Sequence, residues 1–297
     1  MLTWIVRPEE DGLRLRQVLL NSVRLSWSAL KSAKWNGQIL RNGAPVFMRD
    51  VLHAGDRIEI FLPEKAPLYL PEPYPLPLCV PWEDEYLMAV DKPAPLASQS
   101  SAGQPDNSLE NAVFWHLGCP EDFLYRPVNR LDKGTSGLML IAKDGHTQDL
   151  LQRQLHSDSF RREYLALTEG IPDPPEGTIR QPIAKVDAAS VRREVRPDGK
   201  PAVTHYRTLA CQGGRALLRL RLETGRTHQI RVHLAFIGCP VCGDFLYGRE
   251  LPEEFPRRFA LHSALLEFTH PHTGETLRLE SPPPFGIAQS ACTTRFI

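Results

Sequence analysis

The sequence predicts an α+β protein in two parts: a small basic N-terminal α/β module and a larger region built on a mixed, largely antiparallel sheet. Three observations carry this. Residues 63–81 hold 7 prolines in 19 positions, a density that blocks helix and central strand and favours extended chain. Before that segment, two helical patterns precede short β-rich runs; after it, strands dominate and helices intervene without the regular alternation of a βαβ sheet. The 297 residues, 42% of them hydrophobic, supply room for two domains and apolar material for their cores. The expected boundaries are 10–62 for the module, 63–81 for a linker and 82–297 for the larger domain.

In the module, Leu15, Val18 and Leu19 recur at helical spacing, and Ser26 is placed to cap a second helix over SALKSAKW. QILRNG, PVFMRD and RIEIFLP then read as short strands separated by turns at Asn42-Gly43 and Gly55-Asp56. Residues 12–58 carry eight basic side chains against two acidic ones, a balance of +6. The whole chain has 35 of each sign, so this excess is local.

The larger region opens with EYLMAVDKP, an apolar run closed by a proline turn. Ser108 can cap a helix whose Leu109, Ala112, Val113 and Leu117 share a face. GLMLIAK, EYLALTEG and ALLRLRLET read as strands, the last with Leu218, Leu220 and Leu222 on one side, and HTQDLLQRQLH as a short helix between the first two. No run approaches the about 18 apolar residues of a membrane span. Charge at Arg7 and Glu9 interrupts the N-terminus before a secretory signal could form. Six cysteines (Cys79, Cys119, Cys211, Cys239, Cys242 and Cys292) are scattered along a chain too long to need stapling, which fits reduced thiols. The expected setting is the cytoplasm, away from membranes.

Chemistry concentrates in RPVNRLDKGTSGLMLIAKD, residues 126–144, where polar and charged side chains crowd before a strongly apolar strand. Loops set on the end of a rigid sheet are where function gathers. An Asp among glycines also serves turn geometry by itself, so spacing alone identifies no site.

Longer patterns decide. LRLRQVLLNSVRLSWSALKSAKWNGQILRNGAPVFMRDVLHAGDRIEIF resembles the small RNA-binding domain named after ribosomal protein four of the small subunit, most clearly in its RNG turn and its closing AGDRIEI strand. Trp27 departs from that family, standing where an arginine usually follows the serine. RLDKGTSG is similar to the RLDxxTSG signature of the RluA-type pseudouridine synthases, which isomerise uridines in ribosomal and transfer RNA. AVDKPAPL, REYLAL, GKPAVTHY, LETGRTHQIRVHL, GCPVCGDFLYG and ALHSALLEFTHP follow in that family's order, so the likeness covers nearly the whole chain. Asn129, Asp91 and Pro95 replace residues commoner there.

The resemblance implies a pseudouridine synthase fold, RNA as partner, no cofactor or metal, and a monomer with no protein partner. It assigns Asp132 as the catalytic aspartate, Arg231 as the arginine pairing with it, Tyr164 as the active-site tyrosine stacking on a flipped base, and Arg130 as support for the displaced strand. In the module it turns Lys31, Lys34 and Arg41 toward phosphates. Without the resemblance, Arg231 reads as a surface arginine on a segment whose Ile230, Val232 and Leu234 face inward, and Tyr164 as a strand core residue.

The residue types suit the chemistry. Uridine isomerisation breaks the bond from N1 to the anomeric carbon, turns the base and rejoins it through C5. One carboxylate can attack the anomeric carbon or remove the 2′ proton to give a glycal, and the sequence leaves both open. A second carboxylate placed to activate water would be harmful, and the motif offers one. Cys239-Pro-Val-Cys242 lacks the second ligand pair of a structural zinc site and reads as loop packing, as His262 and His270 read as parts of a strand. A non-catalytic RNA-binding protein would need only the module; a nucleoside hydrolase would want a second carboxylate and free water.

Overall fold

Two faces of one sheet explain the longest apolar run in the chain. In the computed structural model, which describes residues 1–35, 38–62, 67–101, 103, 105–155, 157 and 159–286, the chain divides into two compact units. One is Met1–Leu68 with Asp144–Leu150; the other is Tyr69–Lys143 with Leu151–Ile297.

The first unit runs β1 (Leu2–Ile5), α1 (Leu15–Asn21), α2 (Trp27–Trp35), β2 (Gln38–Arg41), β3 (Ala44–Pro45) and β4 (Arg57–Phe61), with its sheet in the order β1-β4-β2-β3. Ser26 accepts a hydrogen bond from the Ala29 amide (3.2 Å), the capping read from the sequence. Asn42 and Gly43 both have positive φ (51° and 81°), which suits a tight hairpin between β2 and β3. Two expectations fail. The sheet gains a strand, β1, from residues before position 10, antiparallel to β4. PVFMRD is strand only at its first residue, because Phe47 and Asp50 close a turn in which the Phe47 amide donates to the Asp50 carboxylate (2.9 Å). Leu15, Val18, Leu19, Leu30, Leu52, Ile58 and Ile60 fill the core between helices and sheet.

The second unit continues with β5 (Cys79–Glu83), β6 (Leu87–Lys92), α3 (Leu109–His116), β7 (Ser136–Ala142), α4 (Gly145–Leu155), whose residues up to Leu150 belong to the first unit, β8 (Arg161–Glu169), β9 (Glu176–Ile179), β10 (Ile183–Lys185), β11 (Arg193–Val195), β12 (Thr204–Gln212), β13 (Arg215–Leu222), α5 (Gln229–Phe236), β14 (Leu261–Thr269) and β15 (Thr276–Glu280). Its main sheet runs β5-β6-β7-β14-β8-β13-β12-β9 with β15 on β14. Every pairing is antiparallel except β7 with β14, so the sheet is mixed and largely antiparallel.

β7 is buried along its whole length. Met139 and Ile141 join a core with Leu109, Val113, Ile230 and Leu234 of α3 and α5, while Leu138, Leu140 and Ala142 join another with Phe160, Leu266 and Phe268. A strand covered on both faces needs no polar alternation, hence GLMLIA. β13, covered on one face, keeps the alternation: Leu218 and Leu220 are buried and Arg219 and Arg221 exposed.

The proline-rich segment is less of a linker than its composition suggests. Residues 63–66 lie outside the described residues, but Tyr74, Leu76, Leu78 and Val80 pack on the larger core. The end of the segment becomes β5. Pro81 is tolerated there because β5 is an edge strand, where a missing N–H costs no ladder bond.

Candidate active site

Asp132 sits in the turn that feeds β7, its carbonyl accepting from the Thr135 amide (3.0 Å). Two glycines make the turn possible. A Cβ on Gly134 would lie 2.6 Å from the Phe259 ring, and one on Gly137, at φ +108°, would lie 2.3 Å from the Ser263 carbonyl. The second approach is the parallel contact of β7 with β14, where Gly137 pairs with Ser263. Ser263 in turn pairs with Tyr164 on β8, so the sheet places Gly137, Ser263 and Tyr164 in one row beside the Asp132 turn.

Three neighbours hold that turn. Ser98 Oγ donates to the Leu131 carbonyl (2.5 Å) and accepts from the Leu131 amide (3.1 Å). The Leu96 amide donates to the Lys133 carbonyl (3.0 Å). Asn129 donates to the Leu138 carbonyl (3.3 Å) and accepts from the Leu140 amide (2.8 Å), so this departure from the commoner residue ties the turn to β7. Asp91, another departure, accepts from Ser281 Oγ (2.5 Å).

Arg231 reaches the turn from α5. Its Nη1 donates to Asp132 Oδ2 (3.0 Å), while Nε and Nη2 bond both oxygens of Asp244 (2.6 and 2.8 Å). The Asp244 side chain is fully buried, Arg231 is 3% exposed and Asp132 27% exposed. One guanidinium thus joins a buried anchor to a carboxylate that still reaches solvent. Its planar face lies over Phe259 (4.2 Å) and Tyr247 (5.0 Å). Burial opposes its charge, but Asp244 and then Asp132 hold its pKa above the ordinary value. Asp132 Oδ1 carries no hydrogen bond among the described residues.

Arg231 is therefore not a surface arginine on an alternating segment. Gln229 to Leu234 are buried on every side of a helix, a pattern the period-two reading misses. The helix starts from His228, in the left-handed region at φ 58°. Gln229 secures it by accepting from Thr224 and the Arg226 amide and donating to the Val203 carbonyl.

Other parts of the site were missed by sequence reasoning. His228 Nε2 lies 3.9 Å from Asp132 Oδ2, and its Nδ1 meets the Tyr247 hydroxyl at 2.8 Å. Burial lowers the His228 pKa, against the pull of Asp132. Lys92 is fully buried and donates to the Pro93 and Leu96 carbonyls (3.0 and 2.7 Å). Burial pushes its ammonium down to about 7, against the Asp132 carboxylate. Asp244 had a signal, the GD closing GCPVCGD, but that reads equally as a turn.

Tyr164 is 5% exposed and packs in the core beside Leu131 and Phe259. Burial raises its phenol pKa, with Arg162 opposing and Asp132 adding, so the hydroxyl keeps its proton. Arg130 is exposed, one position before the Leu131-Asp132 pair. Cys239 and Cys242 are buried, and burial raises both thiols, Cys242 to about 11, which disfavours thiolate ligands. No group of three or more His, Cys, Asp or Glu suited to a metal occurs among the described residues.

In the first unit, Lys31 and Lys34 are exposed on α2, Lys34 lying over the Trp35 ring (4.7 Å). Arg41 is engaged internally, donating to the Val51 carbonyl (3.0 Å) and facing Asp56 (3.4 Å). No helix among the described residues is long and apolar enough to cross a membrane.

An aspartate presented at a sheet end, fixed by an arginine that is itself fixed, is what the RLDxxTSG comparison leads one to look for. The RNA pseudouridylate synthase family matches residues 86–236. The chain is 36% identical over 302 residues to the ribosomal large subunit pseudouridine synthase D of Haemophilus influenzae, covering 94% of this chain and 90% of that one. It is also 36% identical over 262 residues to the uncharacterized RNA pseudouridine synthase YjbO of Bacillus subtilis, covering 88% and 92%. The human RNA pseudouridylate synthase domain containing 1 shares the fold, with a TM-score of 0.58 over 70% of this chain and 84% of that one at 23% identity. The chain belongs to the RNA pseudouridine synthase family and is an enzyme that isomerises uridine in RNA.

Proposed function

We propose that this pseudouridine synthase acts on large-subunit ribosomal RNA and that Asp132 performs the covalent chemistry. The likeness to the ribosomal large subunit pseudouridine synthase D of Haemophilus influenzae, which spans nearly the full length of both chains, supports the substrate. The single observation supporting the catalytic role is the Asp244–Arg231–Asp132 chain, which leaves Oδ1 of a partly exposed carboxylate uncommitted.

In this reading Arg231 pairs with the Asp132 carboxylate and fixes its orientation in a site that binding would dry. Asp132 then attacks the anomeric carbon or takes the 2′ proton, and N1 leaves as the uracil anion. The base turns and C5 bonds to the anomeric carbon as the bond to Asp132 breaks or, on the glycal route, as Asp132 returns its proton to C2′; the C5 proton is then lost and N1 takes up a proton, restoring the ring. The proton of Tyr164 makes it a neutral aromatic contact for the flipped uracil. Arg130 supports the displaced strand, and Lys31 and Lys34 contact phosphates, with Arg41 contributing least because its guanidinium is engaged. The enzyme works as a cytoplasmic monomer without cofactor.

Asp132→Asn keeps size and hydrogen bonding but removes nucleophile and base. It should abolish pseudouridine formation in ribosomal RNA while RNA binding survives, since affinity rests mainly on phosphate contacts. Pseudouridine mapping of cellular RNA with and without the gene checks the substrate: losses confined to transfer RNA would replace ribosomal RNA. A folded Asp132→Asn enzyme with wild-type turnover would end the catalytic assignment.

A further inference from the structure

The outward face of α2 is unusual for a solvated helix. Trp27, Lys31 and Trp35 stand four residues apart and so share one stripe, flanked by Ser28 and Lys34. Leu30 and Ala33 bury the opposite side. Trp27 and Trp35 are 64% and 68% exposed, and their Cα atoms are about 12 Å apart along the axis. Exposed tryptophan on a helix that already has a buried face contributes nothing to folding in proportion to its area, and two on one stripe form an apolar surface interrupted only by lysine.

Each indole has a cation from its own unit on one face. Arg16 lies 4.9 Å from the Trp27 ring centre and Lys34 4.7 Å from that of Trp35. Lys31 stands between them, and Ser28, Lys31, Ser32 and Trp35 line a shallow concavity. A planar, electron-rich group with a cation on one side, repeated beside a second cation, matches a polyanion whose monomers carry flat rings. A duplex hides those rings, whereas an unpaired strand offers them. A protein or lipid partner would need no such placement of cations against the ring faces.

We propose that this stripe is a binding site for unpaired RNA, with bases stacking on the free faces of Trp27 and Trp35 while Arg16, Lys31 and Lys34 meet the intervening phosphates. It rests on the reading of the enzyme as RNA-directed, and it names which RNA feature the first unit selects. Paired RNA would gain only the phosphate contacts.

The test uses the full-length protein, a labelled oligouridylate and an RNA duplex of equal length. Trp27→Ala and Trp35→Ala should each weaken oligouridylate binding about five- to tenfold. Duplex affinity should change less than about twofold and the salt slope should hold, because no phosphate contact is removed. Phenylalanine at both positions should restore most of the loss. Trp115, exposed on the second unit, is the control, and Trp115→Ala should leave oligouridylate affinity unchanged. Both indoles lie outside the core, so their removal spares the packing of the unit, and far-UV circular dichroism checks the fold. Unchanged oligouridylate affinity, equal loss on the duplex, equal loss in Trp115→Ala, or tryptophan-dependent binding to phosphatidylglycerol vesicles with RNA unaffected would each overturn the proposal. A wild-type enzyme that converts ribosomal RNA yet ignores oligouridylate would overturn it while leaving the catalytic reading intact.

Discussion

The two charged regions of this protein are organised in opposite ways. Beside Asp132 the arginine is fully committed: Arg231 spends all three of its donor groups on Asp244 and Asp132 inside the fold. Along the exposed stripe of α2, Arg16 of α1 and Lys34 lie against the indoles of Trp27 and Trp35, and Lys31 faces solvent between them. The difference matches the tasks proposed for the two regions. A site that must hold one carboxylate in one geometry while a base enters needs preorganised, desolvated partners. A surface that follows a polyanion needs cations ready to exchange small counterions for phosphates. Substitutions in the first region should therefore cost stability and rate together; those in the second should cost affinity alone.

The largest effect is expected at Asp244. Asp244→Ala leaves a buried guanidinium with only Asp132, and breaking a buried pair from one side costs about 3–5 kcal/mol. Denaturant unfolding should show that loss, and activity should fall at least about a hundredfold because Arg231 no longer holds its orientation. If the variant were as stable and active as wild type, the anchor would be redundant and the contrast between the regions would fail.

Next come the glycines. Gly137→Ala forces a Cβ to 2.3 Å from a backbone carbonyl at φ +108°, a combination of overpacking and backbone strain worth about 3 kcal/mol. Gly43, at φ +81° with nothing within 4 Å, has only the backbone penalty of about 1–2 kcal/mol. Segment-resolved hydrogen exchange should show lost protection along β6, β7 and β14 for the first and within residues 1–68 for the second. Equal costs would mean that the β7–β14 contact yields more easily than its geometry implies.

The same contrast accounts for what the sequence reveals. β13, half-buried, advertises itself by alternation, and the Asp132 turn by a long motif. Arg231 is legible only through its motif and Lys92 not at all, because both are charged residues in fully buried surroundings, where neither hydropathy nor period marks them. α5 shows no amphipathic period for the same reason. Asp244 is invisible without its partner, since an Asp after Gly is ordinary turn chemistry. β1 escapes notice because LTWI, half-exposed on an edge strand, is short and gains its stability from pairing with β4.

Lys92 gives the region around Asp132 a pH signature. Its folded pKa is lowered from 10.5 to about 7 by burial, so between these values the unfolded chain holds a proton that the folded chain has released. Stability then rises with pH across that window, and the cost of burying the charge is fully present only below about 7. The stability of wild type relative to Lys92→Met should improve steadily from about pH 7 to pH 10. A difference independent of pH across that window would show that the buried amine keeps its proton.

The smallest effect belongs to the other region. Lys31 has no ion pair among the described residues and sits between two exposed indoles, so Lys31→Ala should leave fold and stability within about 0.5 kcal/mol of wild type. Its consequence is electrostatic. If Lys31 neutralises one phosphate, its removal should make the plot of log affinity against log salt shallower by about 0.7–0.9, with the loss largest at low salt and fading as salt rises. Lys34→Ala should act alike but add a small loss at high salt, because Lys34 also rests on Trp35 and its removal alters a stacking surface as well as a charge. Titrations of RNA binding at several salt concentrations separate the two variants. An unchanged slope for Lys31→Ala would mean that its ammonium never meets a phosphate. The basic excess of the first unit would then have to act through other residues, such as Arg16 or Arg24.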